Sequence, residues 1–242
     1  MDDIKESIAC LFIDIKEKIE DYYIFNEKKG FKECFLKTIY KLCGRYIKAN
    51  MLSYNHIALE FNKVYFFKNL LKNIIFFEKY YYLIGDSILD VGCGAAPASI
   101  AIASLVKSKN GKDISISLID RSKKQLSIAE DIAQIMSIKI KSCTEAFFDM
   151  KIKKYTELVV FSYFFCEQKK DFLKKLFDNR EKFTGGFVII DYDVNIMKVE
   201  KYFRDNGDNK IKYVFINYSV PKILSGVIYD KEVKVYGCIY RP

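Results

Sequence analysis

The sequence predicts an α/β fold: a doubly wound, mostly parallel seven-stranded sheet with an antiparallel C-terminal hairpin, plus a helical N-terminal extension. Three observations predict it. From Ser87 onward, short apolar strand-like runs alternate with helix-spaced segments, the pattern of successive βα units. Residues 87–100 read as a strand, a glycine turn and a helix start, with Pro97 where the helix would begin. The last two strand-like runs have no helix between them and read as an antiparallel pair.

Taken in order, Ile4, Ile8, Leu11, Phe12, Ile15 and Ile19 follow helical spacing. A second helix is expected from Phe31 to Ile47, with Phe35, Ile39 and Leu42 on one face. A third is expected from Ile57 to Tyr82, where dense aromatics at helical spacing read as core. Strand 88–91 then leads into helix 97–107, and strand Ile114–Ile119 into helix 122–136. Strand Ile138–Ser142 is followed by an irregular stretch. Strand Leu158–Ser162 precedes helix 168–179, and Gly185-Gly186 turn the chain into strand Phe187–Ile190 and helix 196–204. Lys212–Tyr218 and Val233–Ile239 form the hairpin. No Pro/Gly/Ser linker divides the chain, so the boundary rests on the change of pattern: residues 1–84 as the helical extension and residues 85–242 as the α/β domain.

The chain has 242 residues, half of them apolar, enough for one large α/β domain with an extension. Seven cysteines, an odd number without C-x-x-C spacing, suit reduced thiols in a cytoplasmic protein. The acidic start Met-Asp-Asp-Ile-Lys-Glu lacks a signal-peptide pattern. The longest uncharged stretch, Val91 to Val106, contains the glycine turn, so no membrane span is expected. His56 is the only histidine and no Cys cluster accompanies it, which removes a His-containing triad and leaves no metal site. The net charge of +9 is unevenly spread. Residues 1–27 hold eight acids against three Lys, whereas residues 28–79 hold ten Lys and Arg45 against three Glu. A basic middle segment suits a polyanion. A composition rich in Lys, Ile, Asn, Tyr and Phe, as an AT-rich genome favours, gives the same charge with no partner at all.

The chemistry concentrates around the glycine turn. Asp90 stands two residues before Gly92, where a carboxylate at the mouth of a pocket repels a pyrophosphate and suits a ligand with cationic groups and no phosphate. Gly92 and Gly94 let the backbone approach a ligand closely. Cys93 reads as a small packing residue, and Ala96 stands where a third glycine is usual. Asp120 ends the second strand, 28 residues after Gly92, and one ionised carboxylate can accept from two hydroxyls. Arg121 beside it would also serve a 2′-phosphate. Capping is the alternative for both acids: Asp90 for the turn, Asp120 for the helix that opens at Ser122.

Asp90-Val91-Gly92-Cys93-Gly94 resembles the first motif of class I S-adenosyl-L-methionine (SAM)-dependent methyltransferases, a Rossmann-like family, and the element order from Ser87 to the C-terminus agrees. The resemblance implies SAM as cofactor, with its methionine portion over the glycine turn. It also implies Asp90 toward the amino end and Asp120 on the ribose hydroxyls. An acid after the third strand would accept from the adenine amino group; Glu145 is the candidate and Asp149 the fallback. The fourth strand runs out through Ser162-Tyr163-Phe164-Phe165-Cys166-Glu167. Ser162 is grouped with the cofactor residues. Tyr163 and Phe164 would cover the ligand or stack on a flat substrate. Glu167 would take a proton from the nucleophile or cap the next helix. The Asn/Asp-Pro-Pro-aromatic motif of base-amine methyltransferases is absent here, which argues against exocyclic-amine methylation by that route. Asp191 and Asp193 bracket Tyr192 at the end of the fifth strand.

Asp90-Val91-Gly92-Cys93-Gly94-x-x-Pro97, Asp120-Arg121-Ser122-Lys123 and Val159-Val160-Phe161-Ser162-Tyr163 are distantly similar to ribosomal RNA methyltransferase-like proteins, a resemblance that implies RNA as acceptor, with residues 1–84 as a substrate-facing cap. Gly92-x-Gly94-x-x-Pro97-x-Ser99 is also similar to the glycine turn of nicotianamine synthases, which transfer the aminopropyl arm of SAM to small molecules. A third reading is a non-catalytic assembly factor that binds SAM without turnover. RNA and a small-molecule acceptor both stay open as partners; no membrane and no metal are expected.

Overall fold

A computed structural model describes residues 2–29, 55–144, 147, 155–164 and 171–242. The helix expected over 31–47 lies outside them. The seven strands are β1 (Ser87–Val91), β2 (Ser115–Ile119), β3 (Ile140–Cys143), β4 (Leu158–Ser162), β5 (Phe187–Asp191), β6 (Ile211–Ser219) and β7 (Glu232–Tyr240). They form one sheet in the order β3-β2-β1-β4-β5-β7-β6. β1 to β5 are parallel, and β7 enters antiparallel between β5 and β6. The described helices are α1 (Asp2–Lys29), α2 (Asn55–Lys79), α3 (Pro97–Asn110), α4 (Lys123–Ile135), α5 (Phe172–Asp178) and α6 (Asp193–Asp205).

Side chains alternate across the strands, so each face of the sheet carries its own apolar layer. Leu89, Val159, Phe161, Phe187 and Ile189 pack with Phe172, Leu176, Ile196 and Phe203 of α5 and α6. Ile88, Leu158, Val160, Val188 and Ile190 pack on the other face, with α3 and α4. Phe12 and Ile15 of α1 and Leu70, Ile74 and Phe77 of α2 belong to that second layer. The helices before residue 85 therefore share a core with the α/β portion.

Two of the boundaries that differ from the sequence expectation have a clear local reason. β3 starts at Ile140 because Ser137 takes a left-handed φ of 55° and Ile138 donates its N–H to Ala133 O at 2.8 Å. Those residues close the end of α4. α6 starts at Asp193, three residues early, because extended Tyr192 caps it and Asp193 places a negative charge in its first turn.

α2 reaches the sheet over Gly237. A Cβ there would lie 2.6 Å from Phe76 Cε2 and 2.9 Å from Ile189 O. Gly237→Val is therefore expected to destabilise the fold by about 1–3 kcal/mol through overpacking. A lowered urea midpoint would report it; an unchanged midpoint would mean that α2 does not seat there. Among the described residues, no helix is long and apolar enough to cross a membrane. Nor, among them, is any group of three or more His, Cys, Asp or Glu placed to hold a metal ion.

Candidate functional site

From β1 the strand order departs in both directions, to β2 on one side and β4 on the other. The carboxyl ends of strands at such a switch point border a crevice. The glycine turn lies here. Gly92, Gly94 and Ala96 have φ of 64°, 56° and 60°, all left-handed. The N–H groups of Gly92 and Cys93 both donate to Ile119 O of β2, at 2.7 and 3.3 Å. Ala96 caps α3, with Pro97 at the first helical position. An alanine thus holds the conformation of the missing third glycine, at a cost of about 1–2 kcal/mol.

Asp90 does not stand open at a pocket mouth. It is wholly buried, and Ser99 in the first turn of α3 donates to it through its hydroxyl, at 2.7 Å, and through its backbone N–H. A carboxylate in this place satisfies an orphan donor of the helix start. Its Oδ1 has no partner among the described residues. Burial pushes the Asp90 carboxyl up to about 7, with Asp120 adding to the rise and the Ser99 bonds opposing it.

Asp120 ties the turn to the next helix. Its Oδ2 accepts from the Gly94 N–H at 2.9 Å and its Oδ1 from the Ser122 N–H at 2.8 Å. Ser122 caps α4, its hydroxyl oxygen accepting from the Gln125 N–H. Burial raises the Asp120 carboxyl against these bonds. Each Asp120 oxygen keeps capacity for a further donor such as a hydroxyl. Asp90 therefore braces the start of α3, Asp120 ties the glycine turn to the Ser122 cap of α4, and their remaining lone pairs are what a ligand could use. Arg121 is exposed. Cys93 is buried, its thiol pushed well above the ordinary range, and it behaves as a packing residue.

Beyond β4, Ser162 Oγ exchanges hydrogen bonds with the Asn73 amide of α2, at 3.0 and 3.2 Å. Tyr163 takes a left-handed φ of 55°, and its N–H donates to Ile190 O at 2.7 Å. Its ring lies 5.1 Å from Lys72 Nζ and meets Tyr192 edge-on at 5.8 Å. The Phe164 ring covers the glycine turn, because a Cβ at Gly92 would stand 2.0 Å from Phe164 Cδ2. A ligand on the turn must share that space with the ring or displace it. Asp191 Oδ1 accepts from the Tyr192 N–H at 2.7 Å and the Asn195 amide at 2.8 Å, and Asp193 accepts from the Tyr213 hydroxyl. Glu145, Asp149 and Glu167 lie outside the described residues.

Sequence reasoning missed what α2 and α4 bring to this corner. Gln125 is buried, and its Oε1 accepts from the Asn62 amide at 2.7 Å. The available signal was a glutamine beside Leu126 and Ile128 on the apolar side of α4. Lys72, within the run Leu70-Leu71-Lys72-Asn73-Ile74-Ile75, is half-buried. Burial chiefly lowers its ammonium to about 8; Lys68 adds to the fall, while Asp191 and Asp230 oppose it.

The donor set fits a cationic, hydroxyl-bearing ligand. The turn leaves an unpartnered buried acceptor, Asp90 Oδ1, and an acceptor-only carboxylate, Asp120, at the ends of adjacent strands. A family model described as a methyltransferase domain matches residues 84–234. The chain belongs to this methyltransferase family. It is a SAM-dependent methyltransferase, and SAM is its cofactor.

Several solved structures are similar to the chain at low identity. The N-terminally truncated METTL16 methyltransferase domain is 12% identical over 70% of this chain and 81% of its own, with a TM-score of 0.48. The Pyrococcus abyssi tRNA (uracil-54, C5)-methyltransferase, in complex with S-adenosyl-L-homocysteine, is 13% identical over 70% of this chain and 38% of its own, with a TM-score of 0.46. The precorrin 8W decarboxylase of Methanobacterium thermoautotrophicum is 16% identical over 66% of this chain and 82% of its own, with a TM-score of 0.46. No curated protein matches the chain.

Proposed function

We propose that this methyltransferase acts on RNA, with SAM on the glycine turn and the acceptor entering over Tyr163 and Tyr192. The observation that carries the reading is a grouping of cations and accessible rings around the strand ends. Lys68 and Lys72 come from α2, Arg121 and Lys123 follow β2, and Tyr192 is half-exposed beside Tyr163. Lysine and arginine attract phosphates, while aromatic faces stack on unpaired bases. The basic stretch 28–79 supports the same partner, and residues 1–84 would then serve as an RNA-facing cap. Asp120 would accept from the ribose hydroxyls and Asp90 Oδ1 from the ammonium, with Gly92, Gly94 and Ala96 providing close backbone approach. The cofactor's sulfonium supplies an already activated methyl group. The protein then has to orient the acceptor and exclude water, tasks that fall to Tyr163, Phe164 and Lys72. Glu167 remains the proposed proton acceptor. The four described cysteines are free thiols, which suits a cytoplasmic location.

The test is incubation with labelled SAM and total RNA, followed by identification of the sulfur by-product. Methyl transfer releases S-adenosylhomocysteine and labels the RNA. Label in small molecules alone would move the acceptor to that class. Methylthioadenosine would mean aminopropyl transfer, and bound SAM with neither by-product an assembly factor. RNA affinity is expected to fall steeply with salt, and Lys72→Met to reduce the salt slope by about 1. An unchanged slope in Lys72→Met would remove Lys72 from the RNA path.

A further inference from the structure

We infer that Gln125 is a cofactor-binding residue whose side-chain amide, seated against the glycine turn, donates to the α-carboxylate of SAM. The inference rests on the reading that SAM lies on that turn. Gln125 is 1% exposed in the first turn of α4, and its Oε1 lies 3.8 Å from where a Cβ on Gly94 would stand. That Oε1 is committed to the Asn62 amide at 2.7 Å, which fixes which end of the side-chain amide is left over. The other end, Nε2, has no acceptor among the described residues. A buried donor without an acceptor is costly, and such groups are rare in folded proteins.

The chemistry of the ligand identifies the acceptor. Asp120 and Asp90 are carboxylates and can serve only donors when ionised: hydroxyls and an ammonium. A carboxylate ligand group accepts only, so these two acids cannot serve it, and a buried donor beside the turn can. Among the described residues, the turn is flanked by one unpartnered acceptor, Asp90 Oδ1, and one unpartnered donor, Gln125 Nε2. Together they complement the ammonium and the carboxylate of an α-amino acid. A neutral amide donating to a carboxylate makes a charge-assisted bond. Because Asn62 belongs to α2, the helical extension takes part in holding the cofactor. The Phe164 ring stands over Gly92, so a ligand seated on the turn displaces it, while the Asn62 bond keeps Gln125 in place.

The experiment is calorimetric titration of the full chain with two ligands. S-adenosylhomocysteine carries the amino-acid arm; 5′-methylthioadenosine has the same nucleoside and a thioether but lacks the arm. Gln125→Leu is expected to weaken S-adenosylhomocysteine binding about 10- to 100-fold, as loss of a hydrogen bond to a charged group does, and to leave methylthioadenosine unchanged. Gln125→Glu, which sets a carboxylate against a carboxylate, is expected to weaken it at least as much. A melting temperature near that of the wild type shows that each variant is folded. Wild-type affinity for S-adenosylhomocysteine in Gln125→Leu overturns the proposal, and so does equal loss of both ligands. If the wild-type chain itself does not bind S-adenosylhomocysteine, the placement of SAM on the turn fails first, and the inference with it.

Discussion

Gly92→Asp is expected to abolish cofactor binding, with S-adenosylhomocysteine affinity falling beyond calorimetric detection. Two effects combine at this position. A Cβ would stand 2.0 Å from Phe164 Cδ2 and 2.5 Å from Cε2, and the backbone φ is +64°. The left-handed conformation alone costs an L-residue about 1–2 kcal/mol. Any retreat of the ring disturbs its packing on Phe161 at 5.8 Å and edge-on against Phe172 at 5.0 Å. The backbone is also held, because giving way at residue 92 would break the bond from its N–H to Ile119 O at 2.7 Å. The new side chain therefore has to take the space above the turn. Gly111→Ala is the control: Gly111 has the same φ of +64° with nothing within 4 Å of an added Cβ. It should lose about 1 kcal/mol of stability and keep its affinity. If Gly92→Asp binds S-adenosylhomocysteine as the wild type does, SAM does not lie on this turn.

The outline of the sheet was legible because each parallel strand is an apolar run followed by helical spacing, and because β6 and β7 lack a helix between them. The positions of Asp90 and Asp120 were legible for a related reason: a glycine turn after one strand marks the sheet edge at which the neighbouring strand also ends. What those carboxylates bond to was not. Ser99, Gly94 and Ser122 become their partners only once α3 and α4 are set down on the sheet. The contribution of α2 was hidden more deeply. Asn62, Lys72 and Asn73 lie in a segment that reads as an aromatic core helix, and their contacts span 63 residues to Gln125, 91 to Tyr163 and 89 to Ser162. No local pattern encodes such a pairing. Ala96 shows a different limit, since a small residue at the third-glycine position says that space is tight but not that φ is positive. Glu145 and Glu167 rest on sequence reasoning alone.

Asp90 is expected to make both stability and cofactor affinity depend on pH, in opposite directions. Its carboxyl is raised from the ordinary carboxylate range to about 7, chiefly by burial. The folded chain therefore holds this proton at pH values where the unfolded chain has lost it. Between about pH 4 and pH 7 the folded state binds more protons, so stability falls as pH rises through that window and levels off above it. Each tenfold gain in proton affinity on folding is worth about 1.4 kcal/mol, so the loss across the window amounts to a few kcal/mol. Asp120, also raised by burial, adds a slope of the same sign. Asp90→Asn should flatten most of the decline in melting temperature between pH 5 and pH 8, leaving the Asp120 share. Ligand binding works the other way. An ammonium at Asp90 Oδ1 favours the ionised carboxyl, so S-adenosylhomocysteine should bind more tightly as pH rises toward 8 and should release a proton below pH 7. Calorimetry in buffers of different ionisation enthalpy counts that proton. Asp90→Asn should bind weakly, with neither the proton release nor the pH dependence. A wild-type affinity that is flat from pH 5.5 to pH 8 would detach Asp90 from the cofactor and leave it only its cap on α3.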